Sequence, residues 1–346
     1  MAKKVKLSDI AASLGVSKTL VSLVINNKAD AHGISKQTQQ KVREKVLEMN
    51  FQPNVLARGF RTGVTKTIGL IVSDISNLFY SRIARRIEDY AWNQGYSVVI
   101  CSTEENIEKE EAQIRLLRNR KVDGLIISSS MQDASYFNQL FDAGVPHVLI
   151  DRTFPGMKSA NVSVDNFGGA RLAARHLLSQ GFRKIATIGI TPEHISTINE
   201  RIGGFQSELD KQGITIPDEW IIKAPFNNIE EAVKENLNSL HHAGILPDAI
   251  FTLNNNLTSL CLKYLGKLSV SVPSQVALVG FDDVLYFDFT RPSVSAVEQP
   301  VDLISKRAFD LLLKQIQGTP VPPGEWSVML PVDLIVRESS VRFMKN

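Results

Sequence analysis

Residues Lys6 to Asn27, KLSDIAASLGVSKTLVSLVINN, leave little choice of local structure. Ile10, Ala11 and Leu14 recur at helical spacing, and Leu20, Val21, Val24 and Ile25 do so again after a break. Gly15 stands in the break and can take the left-handed conformation that closes a helix. Ser17 is placed to cap the next one. The spacing predicts helix, tight turn, helix, the arrangement that lays its second helix in a DNA major groove. A helical hairpin with no such role fits the same spacing, so the rest of the chain has to decide.

Charge helps decide. Residues 1–66 hold 12 Lys+Arg against 4 Asp+Glu, a balance of +8; the remainder holds 27 against 32, a balance of −5. A basic head on a mildly acidic body is the footprint of a phosphate-binding module joined to something that is not one. A solvated face or an RNA-binding arm would also be basic, but the head has few aromatics on which single-stranded bases could stack. A third helix is expected from Lys36 to Met49. Ser35 would cap it, Val42, Val46 and Met49 would face inward, and Lys41, Arg43 and Lys45 outward. The segment FQPNVLARGFRTG, Phe51 to Gly63, reads as a connector. Pro53 suits a first helical turn, while Gly59 weakens the helix enough that it is expected to form only when bound.

From Lys66 the pattern becomes alternating strand and helix. Apolar runs at Thr67–Val72, Tyr96–Cys101, Val122–Ser128 and Pro146–Asp151 are separated by helical stretches such as Phe79 to Gln94 and Glu108 to Arg120. A second series follows at Lys184–Ile190, Asp248–Leu253 and Gln275–Phe281. Short apolar runs with helical crossovers predict parallel sheets covered on both faces, hence two similar α/β lobes. Ser327 to Arg337 is expected to be a strand returning to the second lobe. The 346 residues suit a small domain plus a larger two-lobed body. No apolar run is long enough to span a bilayer, and no apolar stretch follows the N-terminal lysines, so a cytoplasmic, nucleoid-associated protein is expected. Cys101 and Cys261 read as buried thiols, and no Cys/His cluster has zinc spacing. There is no phosphate-binding loop of the G-x-x-x-x-G-K-[ST] type, and Gly168-Gly169 does not complete a dinucleotide fingerprint. No catalytic function, metal or cofactor is therefore expected.

With these segments in order, the chain resembles the LacI/GalR family of bacterial transcription regulators. LSDIAASLGVSKTLVSLVINN resembles its headpiece, FQPNVLARGFRTG its hinge helix, and TKTIGLIVSDISNLFYSRI the start of its effector-binding lobe. PHVLIDR, VDNFGGARLAARHLLSQGFRKIATIG, ERIGGF, VALVGFDD and Glu298-Gln299 follow in family order. The resemblance implies a helix-turn-helix head over residues 1–50, a hinge helix and linker over 51–66, and a periplasmic-binding-protein-like effector and dimerisation body over 67–346. It implies three chain crossings between the lobes, near Val164, near Val294 to Val297 and near Pro322 to Trp326. Lobe one would then be about 67–163 and 296–323, lobe two about 164–295 and 324–346. A homodimer on a pseudopalindromic operator is implied. The lack of a long apolar heptad after Arg337 favours a dimer over a tetramer.

The resemblance also implies residue roles. Lys18 and Thr19, just inside the second helix, would meet base edges, with Leu23 one turn on. Ser22, Asn26 and Asn27 would position the backbone, as would Ser17 and Lys6. In the hinge, Asn54, Ala57 and Arg58 accompany Phe60, which would wedge into the minor groove with its counterpart from a second subunit. Packing of Phe60 on its own body is the alternative. Ligands of open α/β sheets sit at the carboxyl ends of strands. With the resemblance, the effector set is Phe79, Tyr80, Ser128, Asp151, Arg152 and Gln299 from lobe one, and Thr197, Arg201, Phe226, Asn255 and Asp282 from lobe two. Arg201 and Asp282 could grip vicinal hydroxyls or form a structural ion pair. A carbohydrate-type effector is expected, with a purine, sugar acid or sugar phosphate as alternatives. A solute-binding protein shares the body but needs a signal peptide and no basic head.

Overall fold

The computed structural model describes residues 5–51 and 64–342. The chain divides into two compact units, one ending at Thr65 and the other starting at Lys66. The proposed hinge residues Asn54, Ala57, Arg58 and Phe60 lie outside the described residues.

The first unit holds α1 (Leu7–Leu14), α2 (Lys18–Ile25) and α3 (Lys36–Glu48). Gly15 closes α1 at φ 65°. Ser17 caps α2 by accepting from the Leu20 amide, and Ser35 caps α3 through Thr38. The axes of α1 and α2 bend by 111°, within the range of helix-turn-helix pairs. Ile10, Ala11, Val21, Val24, Ala29 and Val42 form a small sealed core. Leu14, Leu20, Ile25, Val46 and Met49 pack half-buried around it.

The second unit carries two six-stranded sheets. The first contains β1 (Thr67–Val72), β2 (Ser97–Ser102), β3 (Gly124–Ile127), β4 (His147–Ile150), β5 (Ala160–Val164) and β11 (Ser327–Leu330) in the order β11-β5-β4-β3-β1-β2, all parallel. The second contains β6 (Ile185–Thr191), β7 (Ile221–Pro225), β8 (Ala249–Thr252), β9 (Ala277–Phe281), β10 (Ser295–Glu298) and β12 (Asp333–Ile335) in the order β12-β10-β9-β8-β6-β7. Only β12 is antiparallel there. The two orders superimpose strand for strand, so the body is a repeated pattern. Helices α4 (Leu78–Asn93), α5 (Ile107–Asn119), α6 (Ser135–Asp142) and α11 (Val301–Ile316) belong with the first sheet. Helices α7 (Asn166–Ser179), α8 (Ser196–Asp210), α9 (Ile229–His242) and α10 (Asn255–Lys267) belong with the second. α7 and α8 meet so closely that a Cβ on Gly204 would overlap the Phe167 carbonyl oxygen.

Four expectations about the fold need correction. Ser327 to Arg337 is not one strand: β11 joins the first sheet, Pro331 interrupts, and β12 joins the second. The last crossing therefore falls at Pro331-Val332, not near Pro322 to Trp326, and residues 324–330 belong to lobe one. The middle crossing falls after β10, at Gln299-Pro300, so Ser295 to Glu298 stay in lobe two. A parallel strand fills the edge beside β5 in one lobe and an antiparallel one fills the edge beside β10 in the other, which is why a single ribbon serves both. Cys261 is buried as expected, but Cys101 is only half-buried on the outer strand β2.

Candidate functional site

On the head, Lys18 and Thr19 are exposed at the N-terminal turn of α2, where nothing but the cap precedes them. Leu23 is half-buried one turn further on. Ser22 and Asn26 are also half-buried, and the Asn26 amide donates to the Ser22 carbonyl at 2.7 Å. Asn27 is exposed at φ 55° and accepts from Arg43 at 3.4 Å. Lys6 opens α1, its amide donating to the Asp9 carboxylate at 2.9 Å. The exposed face of α2 thus offers one cation and one hydroxyl at its N-terminal end, the end from which such a helix reads bases.

In the body, the carboxyl ends of the two sheets face each other across a cleft with about 600 Å³ of free space, part of it open to solvent. Symmetry of the fold shows in its chemistry. Asp151 follows β4 at φ 68°, and Asp282 follows β9, the matching strand, at φ 70°. The left-handed conformation is uncommon for any residue with a Cβ but is reached more readily by aspartate. Each carboxylate is 6% exposed and lines the cleft.

Around Asp151, the Tyr80 hydroxyl donates to its carboxylate at 2.9 Å and lies 3.0 Å from the Ser128 hydroxyl. Burial pushes the Tyr80 phenol well above its ordinary range, so it stays protonated. Arg152 is clamped by Glu105: its terminal nitrogens donate at 2.5 and 2.8 Å to the two carboxylate oxygens. It also donates to the Ser129 carbonyl at 2.8 Å. Burial works to raise the Glu105 pKa, but the Arg152 charge and its hydrogen bonds outweigh it and hold the carboxyl below the usual range.

Around Asp282, Gln299 donates at 2.5 Å. Arg201 lies flat on the Phe281 ring, 3.7 Å from its centroid, and donates to Asn166 at 2.9 Å and to the Leu253 carbonyl at 2.6 Å. Its remaining terminal nitrogen stands 3.9 Å from Asp282, too far for a hydrogen bond. Burial raises the Asp282 pKa despite the opposing pull of Arg201. Arg201 and Asp282 are therefore neighbours with a gap, not a tight structural pair.

The lobes also touch directly. His194 bonds the Ser130 carbonyl at 2.9 Å, the Thr153 amide donates to Ser196 at 2.9 Å, Asn255 donates to Asn77 at 3.0 Å, and Arg82 donates to the Asp283 carbonyl at 3.1 Å.

Both halves of this arrangement match known proteins. The family description "Bacterial regulatory proteins, lacI family" covers residues 6–54, and "Periplasmic binding protein-like domain" covers 174–340. The ribose operon repressor of Halalkalibacterium halodurans is 32% identical over 335 residues, 96% of this chain and 96% of that protein. The chain belongs to the lacI family. It is a transcriptional repressor of that family, with the family's head and two-lobed body. The HTH-type transcriptional repressor PurR of Vibrio vulnificus is 30% identical over 90% of this chain and 92% of its own. Among solved structures, the lac repressor dimer bound to operator and the anti-inducer ONPF shares the fold, with TM-score 0.83 and 24% identity over 98% of this chain and 100% of that one. A periplasmic binding protein/LacI transcriptional regulator from Alkaliphilus metalliredigens, complexed with D-xylulofuranose, has TM-score 0.70 and 29% identity over 80% of this chain and 100% of that one.

Within this lacI-family body, the cleft gathers Phe79, Tyr80, Asp151, Arg152, Thr197, Arg201, Phe226, Asp282 and Gln299 from the expected set. Ser128 and Asn255 are each 0% exposed and do not line it. Ser128 backs Tyr80, and Asn255 ties α10 to Asn77 across the lobes. Phe79 and Tyr80 contact edge to face, centroids 5.1 Å apart, and both belong to the core while lining the cleft. Sequence reasoning reached Ile190 and Ile195 as part of a strand end but missed Glu105, Ser73, Ile198 and Leu253. Glu105 follows β2 as Asp151 follows β4, so the strand-end rule would have found it had it been extended to that strand.

Proposed function

We propose that this lacI-family repressor is controlled by a neutral polyhydroxy effector, a pentose or similarly small sugar, held between Asp151 and Arg152 of one lobe and Arg201, Asp282 and Gln299 of the other. The carrying observation is the cleft's charge. Asp74, Glu105, Asp151 and Asp282 line it against Arg152 and Arg201, and Glu105 already answers Arg152. An anion would enter against two uncompensated carboxylates, while sugar hydroxyls can both donate to these carboxylates and accept from the guanidinium groups. Two buried atoms of lining residues, Arg152 Nε and Gln299 Oε1, have no hydrogen-bond partner among the described residues. One is a donor and the other an acceptor, a pairing that hydroxyl groups satisfy. The names of the ribose operon repressor and the D-xylulofuranose complex point to the same class of ligand.

The remainder of the reading follows the family. Residues 1–50 form the DNA-binding head, 51–66 the hinge and linker, and 67–346 the effector and dimerisation body. A homodimer in the cytoplasm presents two α2 helices to a pseudopalindromic operator, with Lys18, Thr19 and Leu23 as reading positions and Phe60 as the minor-groove wedge. The protein has no catalytic role. The direct test is calorimetry on the full chain with D-ribose, other neutral aldoses and ketoses, aldonates, sugar phosphates and purines. Neutral sugars are expected to bind with the highest affinity. Tight binding confined to an anionic sugar or to a purine refutes the reading.

A further inference from the structure

Glu105 lies on the loop between β2 and α5, just past the carboxyl end of β2, while Asp151 and Asp282 follow β4 and β9 and Arg201 stands on α8. It is nevertheless one of the most buried charges of the cleft: its side chain is 3% exposed, beside 5% for Arg152. The Ser130 hydroxyl donates to the same carboxylate at 2.6 Å, fixing it from a second side. Arg152 Nη1 and Nη2 both end on Glu105, which leaves Nε, 3.7 Å from Asp151, as the one guanidinium nitrogen without a hydrogen-bond partner among the described residues.

We propose that Glu105 is a specificity-determining residue that sets the charge class of the effector by neutralising Arg152 and withdrawing its two terminal donors from the ligand. Without Glu105, Arg152 would offer an uncompensated cation and a planar donor pair, the geometry that grips a carboxylate or phosphate. With it, the cleft keeps its acidic excess and an anionic sugar meets repulsion from Asp74, Asp151 and Asp282. The inference rests on the neutral-sugar reading for its physiological meaning, but its physical content is separate, because it predicts what happens to anions when one carboxylate loses its charge.

The test compares wild type, Glu105→Gln and the double variant Glu105→Gln/Arg152→Gln by calorimetry with D-ribose, D-ribonate and D-ribose 5-phosphate. Thermal melts of each protein serve as the check on folding. Glu105→Gln is expected to gain at least about tenfold in affinity for the two anions relative to wild type, and the double variant is expected to lose that gain. Gain of anion binding in Glu105→Gln that persists in the double variant overturns the assignment to Arg152. A folded Glu105→Gln protein that takes anions no better than wild type overturns the proposal. If Glu105→Gln fails to fold while the double variant folds, the proposal stands or falls on a second comparison, Arg152→Gln alone, which should bind anions more weakly than wild type by several-fold. Equal anion affinity there overturns it. Failure of the neutral-sugar reading shows elsewhere, as absence of D-ribose and other neutral sugar binding in wild type, while the change in anion affinity between proteins is read in either case.

Discussion

Asp282→Asn separates a ligand-holding carboxylate from a structural one, because the two roles move different observables. The substitution keeps the shape of the side chain and suits the backbone, since asparagine reaches the left-handed region that Asp282 occupies at φ 70°. It keeps an oxygen for the Gln299 amide, now 2.5 Å away. It removes the negative charge opposite Arg201. A hydrogen bond from a sugar hydroxyl to a charged acceptor contributes about 1.5–3 kcal/mol, so effector affinity should fall roughly 10- to 150-fold. Stability should move the other way. The folded pKa of Asp282 is raised, chiefly by burial. Its contribution to stability is fully present below the ordinary carboxylate pKa and is lost as pH rises through the higher folded value. As pH rises the carboxylate therefore comes to oppose folding, and the variant, which never ionises, should melt at or above the wild-type temperature at pH 7, with the advantage vanishing in acid. Calorimetry with D-ribose and differential scanning at pH 7 and pH 4 measure both. An unchanged Kd refutes the ligand role. An effector affinity and a melting temperature that fall together would mean that Asp282 holds the lobe together and acts on the ligand only through that.

Three further outcomes are expected. Lys18→Ala should weaken operator binding; if Lys18 meets a phosphate the salt slope falls by about one and all sequences suffer alike, whereas base readout would flatten preference at one operator position, and anisotropy across salt and operator variants tells these apart. Ser17→Ala should cost about 1 kcal/mol by leaving the Leu20 amide uncapped at the start of a helix of only 8 residues, which faster amide exchange in α2 would report. Removing His194 and Asn255 side chains together should favour an opened body, raising the radius of gyration by X-ray scattering and weakening effector binding; unchanged scattering and Kd would show that these cross-lobe bonds carry no weight in closure.

Much of the fold was legible because its signals are local. β1 occupies the run TIGLIV from Thr67 to Val72 end for end, since a strand buried on both faces reads as unbroken apolar sequence. The head was legible for a similar reason: Gly15 and Ser17 are a stop and a start placed two residues apart. Ser327 to Arg337 misled because two short edge strands in different sheets are also a nearly continuous apolar run. Pro331 was the visible signal, as proline lacks the donor a ladder requires. In the site, strand-end reasoning located the carboxylates, but it could not say that Ser128 would sit behind Tyr80 or that Asn255 would face Asn77. The first depends on packing of α4 against the sheet and the second on lobe-to-lobe geometry, neither of which a local pattern encodes. Glu105 is the instructive omission: its place past the end of β2 lies within reach of the strand-end rule, but its charge role shows only in its distance to Arg152.

The corrected crossings change how the cleft and the lobes are connected. The chain passes between lobes at Asp165, at Gln299-Pro300 and at Pro331-Val332. Gln299 is thus a crossing residue and a cleft residue at once, donating to Asp282 from the strand exit itself. Asn166, the first residue of α7 after the first crossing, accepts from Arg201 and donates to the Val164 carbonyl on the other side of that crossing at 3.3 Å. The side chains proposed to hold the effector are therefore bonded to the backbone segments about which the lobes must turn. A ligand that draws Arg201 and Asp282 together acts on two of the three crossings through one or two hydrogen bonds, with no longer chain of contacts needed. Such coupling is reciprocal, so any factor by which effector alters operator affinity must appear as the same factor in effector affinity when operator is bound. Asn166→Ala should lower that factor more than it lowers effector affinity in the absence of operator, because it cuts the link to the crossing while leaving the donors and acceptors of the cleft in place. Equal losses in both would place Asn166 in ligand binding alone and leave the crossings without a part in the switch.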